Sequence, residues 1–464
     1  MADSQSLERL ARYVPRRGLF GPPVRYPACF DLFDGTCVYM SKFETGDCPV
    51  AFRQSKKVIL ATVVGNGLVI YDFTVYSFSA VIIGKLFFPS DSSFASLLMA
   101  LLTFGIGFAM RPLGAIVIGN LADRKGRKAG LNVTNLLMAA GTALIAFMPT
   151  HASIGVTATV LLVVARLLQG FATGGEIGVS SVVLMELAAR NQRCYLVSWR
   201  SASQAGAVLL GAVVGAATTS LLTPEQLLAW GWRIPFVLGL LIAPFGWFIR
   251  RNMVETARRG IQLPSLRVLL KSHRPQLLLG ILMMATPTAS IYLMVLYMPT
   301  YLVRTLGMSP RMSLLSACFS SAMLFIAAPL FARLADRLPR RKPTQYVTMI
   351  VSILLVYPVF IALTHGVGEL ASLLIIGVYS AVAMGNNGVA TVMIMEAFPA
   401  HHRATGMSMV YSFGVTIFGA FCPFFVTWLI GITQNPMAPA WYLLGALLVS
   451  LFALVKFPAR SPAH

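Results

Sequence analysis

The chain has 464 residues, of which 57% are hydrophobic and only 11% are charged, and its formal net charge is +21. Soluble globular proteins carry roughly 25% charged residues, so this composition leaves too little polar surface to cover a water-soluble globule. The basic residues cluster in a few loops and do not form a soluble face with aromatic platforms, which argues against a nucleic-acid-binding protein.

The apolar residues fall into runs of about twenty or more, the length that a helix needs to cross ~30 Å of hydrocarbon. Two of these stretches, 129–149 and 204–222, contain no Lys, Arg, Asp or Glu at all. A membrane β-barrel would show alternation at every second residue instead of solid runs. The sequence therefore predicts an all-α polytopic membrane protein.

The N-terminal residues 1–55 differ from the rest of the chain. They mix Pro, Gly and both charge signs without a twenty-residue apolar run, and they lack the layout of a signal peptide. We expect a loosely ordered cytoplasmic tail here. Translation starting at Met40 instead of Met1 is left open by the sequence.

Twelve membrane-spanning helices are predicted after this tail, in two halves of six. The halves are residues 56–250 and 276–458, with a basic cytoplasmic linker over 251–275 and a short C-terminal tail over 459–464. The predicted spans are 58–84, 94–120, 129–149, 155–186, 197–222, 230–249, 276–302, 311–334, 345–364, 370–396, 404–430 and 439–457.

Loops rich in Lys and Arg alternate along the chain with loops that hold almost none. This positive-inside pattern predicts that the basic loops and both termini are cytoplasmic, in the inner (plasma) membrane of a bacterium. The six cysteines show no metal-type or redox spacing, and no segment resembles a phosphate-binding loop. We expect neither a cofactor nor a metal, and no enzyme activity.

The two halves repeat each other. The segment 119–128 follows the second predicted span, and the similar segment 332–342 follows the eighth. Glu186 and Arg193 close the fourth span, and Glu396 and Arg403 close the tenth at the same spacing. Parallel repeats of this kind are typical of transporters whose halves rock about a site at the membrane midplane.

These segments resemble the signature loop of the major facilitator superfamily and its degenerate second copy. From about residue 56 onward, the chain also resembles the metabolite:proton symporter family within that superfamily. The matching pieces are Gly65-Asn66, Tyr71-Asp72-Phe73, residues 110–114, Arg166-Leu-Leu-Gln-Gly170, Gly174-Gly175-Glu176, residues 231–236 and Arg403-Ala-Thr-Gly406. The resemblance implies a twelve-helix transporter with a proton as coupling ion.

A finer resemblance is to citrate and tricarballylate symporters, on residues 297–301, 198–204 and 438–441. It implies uptake of a di- or tricarboxylate together with protons, by a protein that works as a monomer in the lipid bilayer. Symport of a zwitterion such as proline or betaine, or of a shikimate-like acid, stays open, as does coupling to sodium. Arg200 departs from the family, where a Gln is common at this position.

Only two acidic residues, Asp72 and Glu176, fall well inside predicted spans, and no histidine does. Charges inside hydrocarbon are costly and usually face a cavity and a partner. We therefore expect carboxylates to carry the proton, with Asp72 paired to Arg166 at similar depth and Glu176 as a second proton station. The alternatives are a fixed structural ion pair and a carboxylate that only holds a neighbouring helix.

Candidate substrate ligands are basic, hydroxyl and amide side chains on the predicted spans, because such groups donate hydrogen bonds to a carboxylate. They are Arg111, Arg166, Arg200, Tyr292, Tyr297, Asn386, Asn387 and Tyr411. Snorkelling of Arg200 to the interface, or helix–helix contacts of the polar residues, would explain the same pattern.

Charged residues at the predicted cytoplasmic helix ends form a third group, for which the resemblance implies gating. They are Asp123, Arg127, Glu186, Arg193, Asp336, Arg340, Glu396 and Arg403. Ion pairs at such ends hold one state and break when the halves move. The alternative is that these charges only determine topology.

Overall fold

The computed structural model describes residues 53–125, 127–174, 176–240, 271–399 and 403–458. The chain divides into two units, Met1–Ala51 and Phe52–His464, and all described residues belong to the second. Within these ranges every regular element is a helix. Nearly all of the predicted tail 1–55, most of the linker 251–275 and the tail 459–464 lie outside the described residues.

The N-terminal half, described over 53–240, contains the first five spans in the predicted order and the start of the sixth. Their helices are Arg53–Phe78 with Ala80–Phe87 (first span), Ser93–Ala109 with Arg111–Lys125 (second), Arg127–Phe147 (third), Val156–Gly174 with Glu176–Leu187 (fourth) and Arg193–Leu221 (fifth). The sixth span begins after the 3₁₀ turn Gly231–Arg233 and runs into residues that are not described.

The C-terminal half, described over 271–458, contains the other six. The seventh span is Arg274–Met283, Ala285–Ile291, the π-helix Tyr292–Tyr297 and Met298–Arg304. The later spans are Pro310–Arg337 (eighth), Lys342–Thr364 (ninth), Glu369–Gly385 with Asn387–Glu396 (tenth), Arg403–Val415, Thr416–Ala420 and Cys422–Thr433 (eleventh) and Ala438–Lys456 (twelfth).

Nine helices in the described ranges are long and apolar enough to cross a membrane, and the first span adds a tenth as two helices bent by 64°. The third span contains a shorter apolar helix, Asn132–Phe147. The predicted all-α polytopic membrane fold is confirmed. The exact number of twelve spans stays a prediction, because the structure describes only the beginning of the sixth predicted span.

Glycines let the second and fourth spans cross with their backbones in contact. A Cβ added to Gly170 would overlap the carbonyl oxygen of Gly107, and one added to Gly174 would overlap that of Arg111. Small residues of this kind allow close helix approach inside a membrane. The crossing fixes the second span against the fourth, and these two spans carry Arg111 and Arg166.

The two halves meet along several pairs of spans. The fifth span packs along the eighth, and the second helix of the fourth span packs against the eleventh. Gly178 approaches Ser408 so closely that a side chain would not fit, and Gly388 approaches Ser198 in the same way. The close contacts place the inward faces of both halves around one shared interior.

A methyl group at the glycine crossing is expected to destabilise the protein. Gly170→Ala drives a Cβ into backbone, which no side-chain rearrangement relieves, so we expect a loss of about 1–3 kcal/mol. The measurement is the thermal unfolding midpoint in detergent, together with the monodisperse yield. The matched control is Gly445→Ala, because a Cβ at Gly445 meets nothing within 4 Å. Equal midpoints for the two variants would contradict the tight crossing.

Candidate functional site

Five charged side chains are buried in the described part of the chain: Asp72, Arg111, Arg166, Glu176 and Arg200, each at most 8% exposed. All five were predicted as site residues. Three are cations and two are anions, so the buried interior carries an excess of positive charge when all of them are ionised. Uncompensated charge in a low-dielectric interior is costly.

Arg166 lies on the fourth span with its guanidinium over aromatic rings. Its Cζ is 4.2 Å from the ring centroid of Tyr76 and 4.6 Å from that of Phe73. Nη1 donates a hydrogen bond of 2.7 Å to Oε1 of Gln169, one helical turn further along. Its Nε and Nη2 have no hydrogen-bond partner. The aromatic faces offset part of the charge and leave two nitrogens available to an acceptor.

Asp72 reaches Arg166 through two intermediate side chains. Thr142 on the third span donates a hydrogen bond of 2.6 Å to Oδ2 of Asp72, and Gln169 Nε2 donates one of 3.0 Å to Thr142 Oγ1. The ion pairs of the described residues do not include Asp72 with Arg166. In this conformation the predicted pair is therefore joined by a hydrogen-bond chain and not by direct contact.

Arg111 lies at a break in the second span. Pro112 has no N–H, so the carbonyl of Phe108 four residues earlier loses its helical partner and accepts 3.0 Å from Thr416 Oγ1 of the other half. The Arg111 guanidinium lies 4.0 Å from the ring centroid of Phe108 and 5.1 Å from that of Phe73. None of its three nitrogens has a hydrogen-bond partner.

Arg200 lies on the fifth span, 5.1 Å from the ring centroid of Tyr411 on the eleventh. Gln204, one turn further along, donates 3.5 Å to the Tyr411 hydroxyl. The guanidinium nitrogens of Arg200 have no hydrogen-bond partner. At 1% exposure the side chain is buried between the halves, so the snorkelling alternative does not describe this conformation.

The C-terminal half brings Tyr292 and Tyr411 to these arginines, and Asn387 to the helix that carries Arg200. The Tyr292 ring packs against Phe108 at 5.4 Å and Phe104 at 6.0 Å between centroids, beside Arg111 and Arg166. Asn387 Nδ2 donates 3.3 Å to the hydroxyl of Ser201, the residue that follows Arg200.

The remaining predicted residues have their own contacts. The hydroxyl of Tyr297 accepts a hydrogen bond of 2.6 Å from Thr427, and Asn386 Nδ2 donates 2.8 Å to the carbonyl of Thr344. Both bonds are made within the C-terminal half. Glu176 is buried in the fourth span.

A set of ion pairs that we call the latch joins the halves at the predicted cytoplasmic end. Glu396 accepts from Arg193 of the N-terminal half at 3.0 Å and from Arg341 at 2.5 Å, and Arg341 also lies 3.8 Å from Asp336. Burial alone would lower the pKa of Arg341, but the nearby Cys194, Glu396 and Asp336 outweigh it and raise that pKa. Arg341 is therefore charged in the latch.

Asp336 also caps the helix of the fifth span across the interface between the halves. Its carboxylate accepts from the backbone N–H groups of Cys194 at 3.2 Å and Tyr195 at 2.8 Å. The first N–H groups of a helix have no partner within the helix, and an anion there also meets the helix dipole favourably. The latch is thus formed by a helix N-terminus as well as by ion pairs.

Three other predicted gating residues take no part in the ion pairs of the latch. Glu186 and Arg340 are exposed, and Arg403 donates 3.0 Å to the carbonyl of Met395. The side chains of Asp123 and Arg127 lie outside the described part of the structure. Arg340 was predicted to take part in gating, but Arg341, the next residue along the chain, makes these contacts instead.

Sequence reasoning missed Thr142 and Gln169, the two side chains that link Asp72 to Arg166. A signal was present for Gln169, because it follows Arg166 by three residues and so lies on the same helix face. Thr142 is a single hydroxyl in an uncharged span, where such a residue usually bonds its own backbone. Its contact with Asp72 depends on how the first and third spans pack.

Comparisons with known proteins agree with this architecture. A family model described as Major Facilitator Superfamily matches residues 62–410. A citrate-proton symporter of Klebsiella pneumoniae is 35% identical over 408 residues, covering 87% of this chain and 92% of the relative. A proline/betaine transporter of Salmonella typhimurium is 31% identical over 415 residues, covering 85% and 82%.

Solved structures show the same fold at low sequence identity. The crystal structure of a D-xylose-proton symporter superimposes with a TM-score of 0.73 at 20% identity, covering 88% of this chain and 99% of that one. A bacterial homologue of the iron transporter ferroportin, in an outward-facing state, reaches a TM-score of 0.61 at 14% identity, covering 87% and 100%.

Weakening the latch is expected to open the predicted cytoplasmic end. Cys194 is fully buried beneath it, so its alkylation by a maleimide, followed at the peptide level by mass spectrometry, reports opening. Asp336→Asn removes the charge from the helix cap and is expected to raise the labelling rate by about 10-fold, within the range of typical conformational couplings. Arg340→Gln, which changes an exposed neighbour, should leave the rate unchanged. Wild-type labelling of Asp336→Asn would contradict a latch.

Proposed function

We propose that this chain, which belongs to the Major Facilitator Superfamily, imports a small organic anion with protons by alternating access across a bacterial inner membrane. The favoured substrates are di- and tricarboxylates such as citrate or tricarballylate. One observation carries the proposal: three buried arginines, one per span on the second, fourth and fifth, hold guanidinium nitrogens without hydrogen-bond partners.

The number of available donors suits a substrate with several carboxylates. The nitrogens without a partner are three on Arg111, two on Arg166 and three on Arg200, eight in all. A guanidinium holds a carboxylate through two parallel N–H···O bonds, and such charge-assisted bonds are about twice as strong as neutral ones. A di- or tricarboxylate would satisfy donors on more than one span at once.

A proton would make the binding of an anion more favourable. Asp72 belongs to the same cluster as Arg166 through Thr142 and Gln169. Protonation of Asp72 removes a negative charge from an interior that already has excess positive charge, so the anion binds more strongly. By linkage, the bound anion raises the affinity for the proton by the same factor. Proton and anion would therefore cross the membrane together.

The curated relatives include carriers of both substrate classes that the sequence left open. Citrate-proton symporters support an anion, and proline/betaine transporters support a zwitterion. Proteins recognise a quaternary ammonium group through free aromatic faces. Here Phe73, Phe108 and Tyr411 have guanidinium groups over their faces, which favours the anion.

The direct test is uptake of radiolabelled citrate into proteoliposomes under an imposed inward proton gradient. We expect uptake that a protonophore abolishes and that excess tricarballylate inhibits. An inward sodium gradient at equal pH on both sides tests the other coupling ion. No citrate uptake by vesicles that accumulate proline, betaine or shikimate would overturn the anion proposal and leave the family intact.

Removing the carboxylate of Asp72 is expected to uncouple transport from the proton gradient. Asp72→Asn keeps the shape of the side chain but does not titrate, so gradient-driven citrate accumulation should fall by about 10-fold or more. Exchange of internal for external citrate needs no net proton movement and should persist. The control is Asp91→Asn in an exposed loop. Full gradient-driven accumulation by Asp72→Asn would contradict the role of this residue.

Arg200 is expected to distinguish substrates by their number of carboxylates. Loss of a charge-assisted hydrogen bond costs roughly 1.5–3 kcal/mol, so Arg200→Gln should weaken citrate binding by about 10-fold or more. Binding of a dicarboxylate such as succinate, which Arg111 and Arg166 can satisfy, should change much less. Arg304→Gln changes an exposed arginine and serves as the control. Equal losses for both ligands would contradict this role for Arg200.

A further inference from the structure

Four buried side chains on three spans form one continuous line of hydrogen bonds, which we call the relay. It runs from Arg166 to Gln169 at 2.7 Å, from Gln169 to Thr142 at 3.0 Å and from Thr142 to Asp72 at 2.6 Å. We propose that Thr142 and Gln169 are positioning residues that transmit the protonation state of Asp72 to the substrate-binding guanidinium of Arg166. This inference rests on the proposed function and assigns it two further residues.

The chemistry of the two ends fixes the direction of every bond in the relay. Arginine only donates hydrogen bonds, and an ionised carboxylate only accepts them. Gln169 must therefore turn its Oε1 toward Arg166 and its Nε2 toward Thr142, and the Thr142 hydroxyl must point its single proton at Asp72. A carboxamide and a hydroxyl can each accept at one side and donate at the other, which makes them suitable intermediate groups.

Thr142 has one proton and two acceptors within reach. Besides Oδ2 of Asp72 at 2.6 Å, its hydroxyl lies 3.0 Å from the carbonyl oxygen of Met138. The bond to the ionised carboxylate is charge-assisted and therefore stronger. When a proton from the outer solution binds Oδ2, the new O–H of Asp72 donates to Thr142 Oγ1, and the Thr142 proton turns to Met138. Asp72 and Thr142 stay hydrogen-bonded to each other in both states, with the direction of the bond reversed.

The reversal of the hydrogen bond between Thr142 and Asp72 changes the strength of the hydrogen bond from Arg166 to Gln169. With Asp72 ionised, each donor in the chain polarises the next, and such chains strengthen the hydrogen bonds within them. Protonation removes the anionic end and depolarises the bond from Arg166 Nη1 to Gln169. The guanidinium is then released to bind a substrate carboxylate with Nη1 in addition to Nε and Nη2. Release of the proton to the cytoplasm restores the first arrangement and weakens anion binding.

Two glycines on the neighbouring spans leave room for the side chains of the relay. Few other titratable groups surround it. A Cβ on Gly141 would overlap Cγ of Gln169, and a Cβ on Gly239 of the sixth span would lie 2.6 Å from Oδ1 of Asp72. Neither glycine is charged. The titratable groups that face the relay from the packed spans are Tyr71 and Tyr76 of the first span, Arg111 of the second and Tyr292 of the seventh.

The test is the pH dependence of equilibrium citrate binding to purified protein between pH 6 and pH 8. Citrate itself titrates in this range, and the pH dependence of Asp72→Asn measures that contribution to binding. After this contribution is subtracted, wild type is expected to bind citrate about 10-fold more tightly at the lower pH. Thr142→Val has the same shape without the hydroxyl, and its pH dependence should fall to that of Asp72→Asn. Thr142→Ser should retain the wild-type dependence. A purely structural role would change affinity equally at both pH values.

A substitution at the other intermediate residue of the relay, Gln169, provides an independent variant. Gln169→Leu leaves the bond between Thr142 and Asp72 intact, and it should lose the pH dependence as Thr142→Val does. Thr103→Val, at a buried threonine that bonds its own backbone, is the matched control and should behave as wild type. Wild-type pH dependence in either folded relay variant overturns the relay. A wild type that binds no organic anion at either pH overturns the proposed function, and the relay with it.

Discussion

A guanidinium group in the interior of a membrane protein requires acceptors for its N–H groups, and this requirement shapes the centre of the molecule. Cation–π contacts supply roughly 0.5–2 kcal/mol each, which offsets only part of the cost of burial. Arg111 and Arg200 have rings beneath them but no hydrogen-bond acceptor. In the proposed function, the oxygens of an anionic substrate would supply the hydrogen-bond acceptors that the protein does not provide.

The backbone brings together the two spans that carry Arg111 and Arg166. Contact between Gly107 and Gly170 brings the second and fourth spans together, and Pro112 breaks the second span beside Arg111. The carbonyl of Phe108, to which Pro112 cannot donate, accepts a hydrogen bond from Thr416 of the other half. A change in the position of the halves would therefore alter contacts close to the arginines, and not only those at the latch.

The sequence was sufficient for the fold class, the order of the spans and all five buried charges, because apolar runs and rare intramembrane charges are strong local signals. It was not sufficient for Thr142 or Arg341. Whether a threonine bonds its own backbone or a carboxylate 70 residues away depends on the rotation of two packed helices. Arg340 and Arg341 are adjacent and have the same side chain, so only the direction of each side chain decides which one reaches the latch. Hydropathy does not specify that direction.

If anion and proton cross the membrane together, the pH inside vesicles must change as the anion enters. Proteoliposomes are loaded with a pH-sensitive dye, and citrate is added outside with no gradient imposed. We expect the lumen to become more acidic as citrate enters, and proline to have no such effect. Entry of labelled citrate without acidification of the lumen would contradict it.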